Sequence, residues 1–238
     1  MEHDLQNPWL AAQWAASQHN FHPAIAIPPR AVALHDITTR DGEECADLAF
    51  SVEDKVRIVE ALARLGIRRT ELFLTVPGWL EAIRAILQRN LGLDLYVTWQ
   101  PGRVERALEL GVRHIMVWYR IGEAFQEHVL QRSREALMDE MLTAVRGARE
   151  AGAVVNLFLP ECTRASLEHI LAAARAAERE GASAVTVVDS QGVARPAAIA
   201  HLVRLLKEST RLQVEVHCHN DFGLAVANVL AAYEAGAD

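Results

Sequence analysis

Cysteine is scarce in this 238-residue chain: three residues, Cys45, Cys162 and Cys218, an odd number at wide spacings. That excludes a disulfide framework and fits reduced thiols in a reducing compartment. Basic residues are outnumbered, 24 Lys and Arg against 31 Asp and Glu, for a formal net charge of −7 with His neutral. So acidic a balance offers no electrostatic footprint for nucleic acid. No apolar run approaches the roughly 18 residues that cross a bilayer. The opening MEHDLQNPWLAAQW lacks the basic start and long apolar stretch of a secretory signal. Proline and glycine, 8 and 13, are too few for collagen or a low-complexity segment. What is present, 51% hydrophobic and 23% charged residues, is ordinary globular composition. The expectation is a cytoplasmic α/β protein with no membrane and no nucleic-acid partner.

From residue 31 two patterns alternate. Short β-branched runs at 31–37, 69–75, 93–99, 112–119, 153–159, 183–189 and 212–218 read as strands. Between them, apolar residues at i, i+3 and i+4 mark helices, as in 52–65 and 196–208. Several helices end in Gly followed by an apolar residue, for example Gly66-Ile67, Gly111-Val112 and Gly181-Ala182, as a left-handed cap leading straight into a strand requires. Near-continuous apolar strands point to a parallel sheet covered by helices. A Gly-rich phosphate turn, which an open doubly wound sheet would favour, is missing after the first strand. The pattern therefore predicts a (β/α)8 TIM barrel with seven strands and seven helices in view, apparently lacking the eighth strand and helix. Residues 1–30, with Trp9, Trp14, Phe21 and a terminal IPPR, form a separate N-terminal arm; residues 31–238 form the barrel.

Two constellations can carry chemistry. Asp36 to Glu44 (DITTRDGEE) follows the first strand directly, at what would be the catalytic, C-terminal face of a barrel. Its density of charge exceeds what a connecting loop needs. His217-Cys218-His219-Asn220-Asp221 ends the seventh strand. Strand residues i and i+2 point the same way, so both imidazoles project together while Cys218 faces the opposite side. Neutral imidazole is the commonest side-chain metal ligand. Asp41, two strand positions away in a closed barrel, can add a carboxylate to the pair.

These segments carry a resemblance. Asp36–Glu44 with Phe50-Ser51 and Lys55 resembles the entry motif of the metal-dependent Claisen-condensing and lyase barrels. That family includes 2-isopropylmalate, homocitrate and citramalate synthases and hydroxymethylglutaryl-CoA lyase. His217 through Asn228 resembles its second signature, and Asp189-Ser190-Gln191-Gly192 its sixth-strand motif. The Asn220-Asp221 and Leu224–Asn228 run is closer to the synthases. The resemblance implies that Asp41, His217 and His219 bind a divalent metal (Mg2+, Mn2+ or Zn2+). It implies that Arg40 stabilises an enolate oxygen and that Glu71 acts in proton transfer or positioning. Glu161, Ser190 and Asn220 would contact the substrate. The implied reaction is an acyltransferase condensation of acetyl-CoA with a 2-oxo acid in amino-acid biosynthesis, run by a homodimer or other homo-oligomer. The rivals are a metal-dependent carbon–carbon lyase and a degenerate, non-catalytic barrel subunit. The chain departs from the family pattern at Glu44, at Leu72-Phe73 and at Trp118-Tyr119-Arg120. With no eighth strand in view, strands one and seven are expected to keep open edges, which invite pairing with another chain.

Overall fold

Strand follows helix seven times in the computed structural model, which describes residues 16–25, 27 and 30–238. The chain divides into two units, Met1–Ala31 and Val32–Asp238. In the first, Ser17 caps a single 3-10 turn, Gln18–Phe21. The expected helix around Trp9 and Trp14 and the Pro28-Pro29 arm lie outside the described residues.

The second unit holds the barrel. Its strands are β1 (His35–Asp36), β2 (Arg69–Leu72), β3 (Asp94–Thr98), β4 (His114–Trp118), β5 (Val154–Leu159), β6 (Ala184–Asp189) and β7 (Gln213–Cys218). All pair in parallel, each with its neighbour in sequence. The helices are α1 (Val52–Leu65), α2 (Trp79–Gln88), α3 (Val104–Leu110), the short α4 (Glu123–Phe125), α5 (Arg134–Glu150), α6 (Leu167–Glu180), α7 (Pro196–Ser209) and α8 (Ala225–Ala235). This is a TIM-barrel fold without its eighth strand. Local chemistry places the helices. Ser51 and Asp54 form a reciprocal capping box that starts α1, and Gly66, at φ 84°, ends it in the left-handed conformation that only glycine adopts without cost.

The strands differ from the expected continuous apolar runs: they alternate. Leu72, Val97, Ile115, Leu157, Val185 and Val214 face outward, are essentially inaccessible and pack with the helices in one large apolar core. The alternate positions face the barrel axis, where a small separate cluster of Tyr96, Met116, Phe158 and Val188 sits among polar groups. A parallel sheet covered on one face and rolled about its own axis on the other needs apolar residues only on the covered face.

The expectation of wholly open edges needs a correction. β7 and β1 share no ladder, yet Asp238 lies between them. Its amide donates to Val214 O (2.8 Å) and its carbonyl accepts from Ala33 N (3.0 Å). Its carboxylate accepts from Val214 N and pairs with Lys207 Nζ, each at 2.8 Å. Backbone satisfaction thus starts across the seam at the N-terminal end of the strands. Above Asp238 the seam opens into a cavity of about 490 Å³ bounded by Leu34, His35, Val216, Val229 and Tyr233 and reaching inward to Glu71 and Glu215.

Candidate active site at the barrel mouth

The loop after β1 turns sharply because the amides of Arg40, Asp41 and Gly42 all donate to Ile37 O. Asp36 steadies the turn by accepting from Thr38 N and Oγ1, and Thr39 Oγ1 anchors it to β2 by donating to Glu71 O (2.5 Å). The turn delivers Arg40 inward, 2% exposed, and leaves Asp41 half-buried beside it. Lys55, buried on α1, pairs with Glu43 at 2.8 Å and fixes the loop from behind. Glu44, the outer member of the segment, is exposed and reaches Arg40 at 3.8 Å.

Asp41, His217 and His219 converge. One ligand atom from each lies within 4.8 Å of the others, close enough for all three to hold one metal ion. The imidazoles stand 4.9 Å apart by ring centroid. Two neutral nitrogens and a carboxylate suit Mg2+, Mn2+ or Zn2+. Burial and the Arg40 charge push the His217 pKa down to about 4, which keeps its nitrogen unprotonated and available as a ligand. Gly192 makes this placement possible. A Cβ there would stand 2.8 Å from His219 O and 2.9 Å from Asp221 N, so only glycine lets the β6 loop back directly onto the ligand-bearing loop.

Arg40 links this triad to Glu71. Its Nη1 donates to Asp41 Oδ1 (2.8 Å) and its Nε to Glu71 Oε2 (2.5 Å), while Nη2 is buried without a partner. Glu71, 2% exposed on β2, has its pKa raised to about 7 because burial outweighs the stabilising Arg40 charge. A carboxyl group near neutrality can both take and return a proton at working pH.

The remaining expected residues form a second group. Ser190 Oγ accepts from Glu161 N (2.9 Å), and the Glu161 carboxylate bonds Arg164 (2.9 Å) and Gln191 (3.2 Å). Glu161 is held at φ 67°, an uncommon conformation for a side chain of its size. Asn220 stands apart: it is exposed, and its Oδ1 accepts from Ala225 N in the first turn of α8. Cys218 packs outward against the apolar core, and burial lifts its thiol, like that of Cys162, to about 12. Neither supplies a thiolate.

Sequence reasoning missed the interior below the mouth. His35 Nε2 lies 3.4 Å from Glu71 Oε1, Arg69 Nη1 pairs with Glu215 at 2.8 Å, and Asn156 and Thr186 also bond Glu215. It also missed the role of Trp118, stacked on Phe158 at 5.1 Å, with the Arg40 guanidinium 5.3 Å from its ring. The signal was there in period two, in the H-x-M-x-W of β4 and the E-x-H of β7, where polar and aromatic residues recur at every second position.

Comparison with known proteins follows the same lines. Residues 31–238 match the family described as HMGL-like. A homocitrate synthase, AksA, of Methanopyrus kandleri is 35% identical over 213 residues, covering 88% of this chain and 54% of that protein. A 2-isopropylmalate synthase of Caldanaerobacter subterraneus is 31% identical, covering 87% and 55%. The chain thus spans about half the length of the curated relatives it matches. Among solved structures, a Bacillus subtilis HMG-CoA lyase superposes with a TM-score of 0.78 at 21% identity, covering 87% of this chain and 75% of that one, a likeness of fold.

Proposed function

Because the chain belongs to the HMGL-like family, we propose that it carries the barrel chemistry of a carbon–carbon bond-forming acyltransferase, condensing an acetyl thioester with a 2-oxo acid. The observation that carries this reading is the continuous line from the Asp41–His217–His219 cluster through Arg40 to Glu71. A divalent metal bound by those three groups would supply Lewis-acid polarisation of the 2-oxo acid's ketone. The chain's own residues do the rest. Glu71 takes a proton from the thioester methyl. Arg40, its Nη2 free, donates to the enolate oxygen that forms. The enolate carbon bonds the ketone carbon, whose oxygen is then protonated, and hydrolysis of the thioester releases the coenzyme thiol. Glu161 and Ser190 fix the far side of the 2-oxo acid pocket.

Appearance of free thiol that requires acetyl-CoA, a 2-oxo acid and a divalent metal together tests the reading. His219→Ala is expected to abolish stoichiometric metal binding in calorimetry and thiol release with it, leaving the fold's circular dichroism unchanged. Thiol release without any 2-oxo acid, or retained metal binding in His219→Ala, overturns it.

A further inference from the structure

Trp118 is the pivot of a second anion site. Its indole ring lies between two guanidinium groups, Arg40 at 5.3 Å and Arg120 at 5.2 Å from the ring centroid. Arg40 is sealed in and committed to Asp41 and Glu71. Arg120 is different. It is exposed just past the end of β4, rests also on Phe125 at 5.7 Å, and has no acidic partner among the described residues. Two aromatic faces hold it in place, so little side-chain freedom is lost when it binds an anion. Trp118 Nε1 is buried and bonds nothing, as does Arg40 Nη2. Three donors around one ring therefore lack an acceptor, and buried donors without acceptors are costly unless a ligand completes them.

We infer that Arg120 and Trp118 bind a second carboxylate, so that the 2-oxo acid taken by this site is a dicarboxylate. The inference rests on the proposed function, which puts the reacting end of the 2-oxo acid at Arg40. Both guanidinium carbons lie within about one ring-stacking distance of the same centroid, so their separation cannot exceed the sum of those two contacts. A five-carbon dicarboxylate, about 5 Å between its terminal carbons from four C–C bonds, spans that gap with a guanidinium–carboxylate contact at each end. A monocarboxylate of the same length would lay an apolar end against Arg120.

Calorimetric titration of the full chain in Mn2+ with 2-oxoglutarate and with 2-oxopentanoate decides the matter, on wild type and Arg120→Gln. The expected result is roughly tenfold or tighter binding of the dicarboxylate by wild type, from the gain of one charge-assisted pair. Arg120→Gln removes that preference and leaves 2-oxopentanoate unaffected. A preference that survives Arg120→Gln, or equal binding of both acids by wild type, overturns the inference while leaving the proposed function standing. Loss of coenzyme A affinity in Arg120→Gln with both acids unchanged also overturns it, by assigning the guanidinium to a phosphate. A wild-type chain that binds neither acid overturns both.

Discussion

The two faces of one sheet are built on opposite rules. Outward, β2 to β7 present Leu72, Val97, Ile115, Leu157, Val185 and Val214, all fully or nearly fully buried against helices. Inward, the same strands present Glu71, Tyr96, His114, Asn156, Thr186 and Glu215, bound to one another and to Arg69 and His35. The outer face is interchangeable hydrophobic surface whose work is to exclude water. The inner face is a set of individual partnerships, each of which fails if one member is removed. Stability and chemistry are thus separated by a single residue step along each strand.

Substitutions on each face test that separation. The largest effect is expected inside: Arg40→Lys keeps the charge but loses the planar fork that reaches Asp41 and Glu71 together. Turnover in the thiol-release assay should fall on the order of 10²–10³-fold, with the thermal midpoint nearly unchanged; a lysine variant with most of its activity would make Arg40 a structural residue. Next comes the outer face. Leu157→Ala leaves a cavity in the large core and should cost about 2–5 kcal/mol in denaturant unfolding, while metal affinity holds. If metal binding falls in step with stability, the two faces are not independent.

The sequence shows the outer face far more clearly than the inner. Strand positions and helix caps were legible because Val, Ile and Leu runs and Gly66-type stops follow from local rules. The metal cluster was legible because its members sit in two short motifs at strand ends, Arg40-Asp41 and His217-x-His219. The interior network was not, since Arg69 and Glu215 are 146 residues apart and nothing local marks them as partners. Trp118 and Arg120 were read only as departures from a pattern. Their meaning came from which ring each guanidinium rests on.

A smaller, pH-dependent effect sharpens the comparison. Glu71 has a folded pKa of about 7 against 4.5 in the open chain, because burial disfavours its charge. The folded state therefore holds the extra proton between those values. The Glu71 contribution is fully present below about pH 4.5 and is lost as pH rises through 7. His35, depressed to about 3, and His217, depressed to about 4, act in the opposite sense, gaining stability as pH rises from their folded values towards 6.5. Glu71→Gln cannot titrate, so the wild type's stability relative to the variant should decline by at most about 3 kcal/mol between pH 4.5 and 7. A flat difference would mean that Arg40 keeps Glu71 ionised throughout.

The strand order has a consequence in time. Each strand pairs only with the one before it in sequence, so the sheet can grow by successive closures of short loops, each adding modest chain entropy. The meeting of the first and last strands is the exception. The Arg69–Glu215 contact must close a loop 146 residues long, and Asp41 meets His217 and His219 across the same divide. Assembly of the metal cluster is therefore the last event that the topology permits, and acquisition of divalent-metal affinity should lag the recovery of helical signal during refolding.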